Sequence, residues 1–109
     1  MLEYAGFVAG PYCGRLLADL GADVLKVEAP GTGDTARSYG PFPGDIPHSE
    51  KSGLFLYLNL NKRSVTLDPS TTPGKELFVR LAAKADVLIE DSPPGRMAEL
   101  GLGYTQLQG

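Results

Sequence analysis

The sequence has one cysteine, one histidine and no surplus of positive charge, and each shortage removes a class of function. The single thiol, Cys13, cannot form an intrachain disulfide and fits a reducing, cytoplasmic setting. The single imidazole, His48, stands between Pro47 and Ser49 with no second histidine or cysteine at ligand spacing. Neither a metal site nor a Ser/His/Asp arrangement is supported, and His48 reads as a loop residue. Lys and Arg number 10 against 13 acids, a formal net charge of -3. No basic field therefore invites nucleic acid. No apolar run approaches the ~20 residues that span a bilayer, so no membrane segment is expected. The first residues lack the basic stretch and apolar core of a signal peptide. There is no internal repeat.

What is present suits one small domain of 109 residues. Glycine and proline are abundant, at 14 and 9 residues, and sit in the connections rather than inside periodic segments. That distribution predicts long functional loops on an α/β frame.

The densest information lies in residues 6–28. Gly10 permits a close backbone approach, and Pro11 presets φ for a first helical turn. Cys13, Leu16, Leu17 and Leu20 recur at helical spacing and predict one buried apolar face. Cys13 on that face reads as an inert thiol rather than a nucleophile. Gly21 predicts a left-handed helix cap, and Val24–Val27 an extended segment. With a short strand at Leu2–Tyr4 this makes a β-α-β unit with parallel strands. A loop over 29–50 follows, longer than the ~12–15 residues usual for a plain connection.

Ser52–Leu58 predicts one or two helical turns, and Ser64–Leu67 a strand ended by Asp68-Pro69. Thr72 is the expected N-cap of a helix with Pro73 at its first position. Leu77, Phe78, Leu81 and Ala82 are its expected buried face. Val87–Ile89 is the most apolar strand, Asp91–Gly95 the loop beyond it, and Arg96–Leu100 a short helix stopped by Gly101. Tyr104–Gln108 reads as the start of another helix. This alternation predicts a Rossmann-like parallel sheet with flanking helices. Ligands of such sheets bind beyond the carboxyl ends of the strands. Gly6–Gly10, Ala29–Arg37, Leu67–Ser70 and Asp91–Gly95 are therefore expected on one rim, where backbone amides can hold a phosphate or a flat base. Glu28 at a strand end suggests a dinucleotide site, but Gly6, Gly10 and Gly14 are spaced by four, not as G-x-G-x-x-G. Lys62-Arg63 reads either as a charged edge that discourages sheet pairing or as an anion or subunit contact.

Three blocks carry a family resemblance. They are Ala9-Gly10-Pro11 with residues 17–24 and Lys26-Val27-Glu28; Asn61 to Asp68; and Ala85 to Glu90 with Pro94-Gly95 and Leu100 to Tyr104. In this order and spacing the chain resembles the opening of the class III CoA-transferases, a family that includes α-methylacyl-CoA racemases. The resemblance implies that residues 1–109 are the N-terminal part of the large, nucleotide-binding domain, incomplete without the rest of the fold. Complete members carry several residues ahead of the position of Met1. It implies a coenzyme A thioester as substrate, with no tightly bound cofactor and no metal. The CoA contacts would come from Val8, Ala9, Ala29, Leu67, Asp68, Pro69, Ser70, Asp91 and Ser92.

Basic residues that meet the CoA phosphates in formyl-CoA transferase-like members fall here on Ala29, Ser70 and Glu99, none of them a cation. Arg37, Lys62, Arg63 or Arg96 would have to substitute, and Arg37 is favoured by its place in the loop near the nucleotide edge. The family nucleophile is an aspartate, which gives a mixed anhydride and then an aspartyl-CoA thioester. None of Asp19, Asp23, Asp34, Asp45, Asp68, Asp86 or Asp91 aligns with it. The implied reaction moves CoA between an acyl-CoA and a carboxylic acid, and this chain alone is expected to be inactive with no catalytic residue of its own. Racemase or isomerase chemistry on an acyl-CoA, and a non-catalytic CoA-binding or truncated module, are the alternatives. Complete members are interlocked homodimers, so the implied partner is the remainder of the enzyme or a second subunit.

Overall fold

A computed structural model describes residues 1–103. Four parallel strands, β1 (Leu2–Tyr4), β2 (Leu25–Glu28), β3 (Arg63–Thr66) and β4 (Leu88–Glu90), form one sheet in the order β3-β2-β1-β4. Helix α1 (Ala9–Asp19) connects β1 to β2, α2 (Gly53–Leu58) precedes β3, α3 (Thr72–Lys84) connects β3 to β4, and α4 (Arg96–Glu99) follows β4. Because every strand runs the same way, all four carboxyl ends open on one edge. The observed strands lie within a residue of their expected positions. Tyr104–Gln108, expected to start a helix, lies outside the described residues.

The two faces of the sheet differ in kind, as the period of two dictates. Leu2 and Val27 point to one side and form the core with Leu67, Phe78, Met97 and Leu102. Phe78 of α3 meets Tyr4 of β1 edge-on, with ring centroids 5.3 Å apart. Glu3, Lys26 and Glu28 point to the other side and are buried there as charges.

That ionic face explains why α1 departs from expectation. The apolar row Cys13, Leu16, Leu17 and Leu20 is not buried: Leu16 is 49% and Leu20 85% exposed, and Cys13 is exposed as well. The buried residues of α1 are instead Gly10, Pro11, Gly14 and Ala18. A Cβ at Gly14 would overlap the carboxylate of Glu3, and one at Gly10 the side chain of Ala5. The glycines spaced by four thus let a helix lie directly on buried charge, where a leucine has neither room nor an apolar partner. The helix does end as the sequence predicts. Gly21 has φ 106°, its N–H donates to Ala18 O, and the Ala22 N–H reaches Leu17 O at 3.0 Å.

Helix α3 is capped one residue earlier than expected: Thr71, not Thr72, accepts from the Gly74 N–H at 3.1 Å. Of its expected buried face, Phe78 is buried, Leu81 and Ala82 are half-buried, and Leu77 is exposed. The 29–50 connection is not a plain loop. It contains short 3-10 turns at Thr35–Ser38 and Pro43–Asp45 and inserts Asp34 and Ala36 into the interior. Among the described residues, no helix is long and apolar enough to cross a membrane, and no three potential metal ligands cluster.

Candidate functional site

The loops after β1, β2 and β4 meet in a cleft of about 350 Å³ at the carboxyl edge of the sheet. Its walls include Gly6 from the first loop, Ala29 and Thr35 from the second, Asp91 and Ser92 from the third, and Arg96 at the start of α4. Two hydrogen bonds stitch these loops together. The Gly6 N–H donates to Asp91 Oδ2 at 3.1 Å, and the Phe7 N–H to Asp34 Oδ1 at 2.9 Å. Phe7 holds φ 66°, a costly backbone for a bulky side chain. The bond to Asp34 and the tilted contact of its ring with Tyr39 hold it there.

Beneath the cleft lies a buried ionic floor. Lys26 Nζ donates to Glu3 Oε2 at 2.9 Å and to Ala5 O at 3.0 Å, and lies 2.8 Å from Asp34 Oδ2. Lys62 Nζ lies 2.7 Å from Glu3 Oε1 and also donates to Pro11 O and Asn59 Oδ1. Glu3 Oε1 and Asp34 Oδ2 are otherwise without a partner, and these ammonium contacts, off the hydrogen-bond direction, supply their compensation. Two carboxylates thus face two ammonium groups with no net charge, the condition under which buried charge is tolerated. Burial pushes the Lys62 ammonium below its ordinary pKa, against the opposing pull of Glu3.

A second ionic unit stands beside the first. Glu28 accepts both Nε and Nη2 of Arg37 at 2.9 Å, the Ser64 hydroxyl at 2.7 Å and the Asp34 N–H at 3.0 Å. Burial alone would raise its pKa. The bonds from Arg37, Ser64 and Asp34, with the Arg37 charge, outweigh burial and lower it to about 2. Glu28 is therefore an anchor for the 29–50 connection and not a ligand for a ribose hydroxyl.

The ten expected site residues divide accordingly. Ala29, Asp91 and Ser92 line the cleft. Val8 and Ala9 are exposed at the start of α1, beside the Gly6 loop. Asp68 and Ser70 stand on the turn after β3, where the Ser70 hydroxyl and amide donate to Asp68 Oδ1 and lower the Asp68 pKa. The side chain of Leu67 belongs to the core and Pro69 is buried, so a ligand could meet Leu67 only through its main chain. Arg37 borders an adjoining pocket, but each of its guanidinium nitrogens already has a protein partner: Glu28 twice, and Ser49 O with Glu50. Its guanidinium also stacks on Phe55 at 3.8 Å. The side chain of Lys62 is 1% exposed in the ionic floor, and Arg63 pairs with Asp23 at the opposite, amino end of the sheet.

Sequence reasoning placed the loops that carry Gly6, Asp34 and Thr35 on the expected rim without singling these residues out, and it passed over Tyr4; all four line the cleft. Asp34 left a signal: an acid followed by Thr35 and Ala36 is a cap for a short turn, and its Oδ1 does accept from the Ala36 N–H at 2.8 Å.

Known proteins resemble the chain along its whole length. The family model for CoA-transferase family III matches residues 1–109. Succinyl-CoA:mesaconate CoA-transferase of Haloarcula hispanica is 44% identical over 108 residues, covering 99% of this chain and 27% of its own. Formyl-CoA:oxalate CoA-transferase of Bradyrhizobium diazoefficiens is 43% identical over 108 residues, covering 99% and 24%. Among solved structures, a CAIB/BAIF family protein from Brucella suis superposes with a TM-score of 0.86 at 42% identity, over 98% of this chain and 28% of that one. The Rv3272 protein of Mycobacterium tuberculosis gives 0.84 at 43% identity, over 98% and 28%. The chain spans about a quarter of the length of the curated relatives it matches. With the parallel sheet, the shared rim and a match from end to end, the chain belongs to the CoA-transferase family III.

Proposed function

We propose that residues 1–109 are the N-terminal, CoA-binding part of a class III CoA-transferase that moves CoA between carboxylic acids. The observation that carries this reading is the cleft where three loops meet at the carboxyl edge of the sheet, in a chain of this family. Main-chain groups of Val8, Ala9, Ala29 and Leu67, with Asp68, Pro69, Ser70, Asp91 and Ser92, are the CoA contacts in this reading. The nucleophilic aspartate comes from elsewhere in the enzyme. Its carboxylate attacks the donor thioester and expels the CoA thiolate, leaving a mixed anhydride. The thiolate then attacks the aspartyl carbonyl and releases the donor acid, and the acceptor acid runs the same steps in reverse. The substrate is the CoA thioester, with no resident cofactor, and the setting is cytoplasmic.

The exposed apolar row of α1 supports a further part of the reading. Leu16, Leu17 and Leu20 of α1 are exposed, as are Leu56, Tyr57 and Leu60 of the α2 region, and the two helices are joined where Arg15 Nη1 donates to Tyr57 O at 2.7 Å. Such a patch suits packing against the remainder of the enzyme or a second subunit. Calorimetric titration of the chain with CoA should give saturable binding, and a folded chain that binds none would overturn the reading. Mixed with an acyl-CoA and an acceptor acid, the chain should exchange no CoA.

A further inference from the structure

We infer that Arg96 is the residue that grips the anionic part of the nucleotide in this chain. The inference rests on the CoA reading above and deepens it. Arg96 is the one lysine or arginine that lines the cleft among the described residues. The other cations near the sheet are engaged elsewhere. The side chains of Lys26 and Lys62 are buried against Glu3 and Asp34, Arg37 is held by both carboxylate oxygens of Glu28, and Arg63 stands at the amino end with Asp23.

Arg96 differs from all of these. Its side chain is 49% exposed, and Glu99, one turn on, approaches it only to 3.7 Å while itself mostly exposed. Such a surface pair holds a guanidinium weakly and leaves it available. Its charge reaches across the cleft. It acts against burial on the Tyr4 phenol and helps keep Asp68 ionised. Asp91 in the cleft wall would otherwise meet an incoming phosphate with like charge, and Asp68, whose charge also reaches Tyr4, would add to it. The planar fork of arginine matches phosphate oxygens in pairs, so one side chain can turn this acidic edge into an anion site.

The test is calorimetric titration of the 109-residue chain and its Arg96→Gln and Arg96→Lys variants with CoA, dephospho-CoA and pantetheine. Arg96→Gln should weaken CoA by roughly tenfold or more, the worth of a charge-assisted contact, and flatten its salt dependence. Arg96→Lys should recover part of the loss, and pantetheine, which lacks phosphate, should not distinguish the three proteins. A loss that persists with dephospho-CoA assigns the contact to the diphosphate; one that vanishes assigns it to the 3′-phosphate. Circular dichroism checks that each variant is folded, as expected for a half-exposed side chain. If Arg96→Gln binds CoA as the parent does, the inference fails and the CoA reading stands. If the folded parent binds no CoA, both fail.

Discussion

Replacing Glu28 by glutamine tests how the rim is held. Glu28 joins β2 to the 29–50 connection through Arg37, Asp34 and Ser64, with its side chain only 6% exposed. Its pKa falls from 4.5 to about 2 on folding. At about 1.4 kcal/mol for each pH unit, the ionised form is worth roughly 3 kcal/mol to the fold at neutral pH. The sign follows from a depressed carboxyl. The stabilisation is fully present above pH 4.5 and is lost as pH falls toward 2. Linkage leaves only about 1 kcal/mol of it at pH 3. Urea melts followed by circular dichroism should therefore place Glu28→Gln about 3 kcal/mol below the parent at pH 7, and the gap should shrink to about 1 kcal/mol at pH 3. Other carboxylates titrate in both proteins, so the difference between the two isolates Glu28. A gap below about 1 kcal/mol at pH 7, or one that does not change with pH, would refute the assignment.

Three further outcomes follow from the same structure. Lys26→Met leaves Glu3 and Asp34 facing one ammonium and should cost about 3–5 kcal/mol, seen as a melting temperature lower by 10 °C or more on the order of 4–8 °C per kcal/mol. Gly14→Ala should destabilise by about 1–3 kcal/mol despite the helical preference for alanine, because the new methyl meets the Glu3 carboxylate; an unchanged or raised melting temperature would contradict the packing. Leu16→Ser with Leu20→Ser should leave stability within about 0.5 kcal/mol, since both residues are exposed, while reducing any concentration-dependent association seen by light scattering. Equal association in parent and variant would remove α1 from the contact.

The alternation of strands and helices, the strand positions and the common rim were legible in the sequence, because each follows from local pattern. Gly21 capped α1 as its position implied, and Asp91 and Ser92 came to the cleft as expected. The face of α1 was not legible. Its leucine spacing is a sound signal of burial only when the surface beneath is apolar, and here that surface is Glu3, Lys26 and Lys62. The glycines at 10 and 14 held the needed information, but only once Glu3 is known to point at them. Arg37 illustrates the same limit. A loop arginine near a nucleotide edge is a reasonable anion ligand until Glu28, nine residues earlier, is seen to hold it with two parallel bonds.

The placement of charge then explains how a rim built from loops can be firm. The loops after β1 and β2 are tied to buried ions. Asp34 fixes the backbone of Phe7, Lys26 holds Asp34 and the carbonyl of Ala5, and Glu28 holds the amide of Asp34 as well as Arg37. Removing either partner of such a pair strands the other in a medium that solvates it poorly, so the loops cannot shift one at a time. A CoA molecule would thus meet main-chain groups already in position, and little of its binding energy would go to ordering them. The same design has a consequence for charge. Lys26, Lys62 and Arg37 all neutralise protein carboxylates within or beside the floor, so none of them can also neutralise a phosphate without uncovering an acid. In the proposed reading, recognition of the anion falls to a residue outside the floor, and Arg96 lines the cleft there.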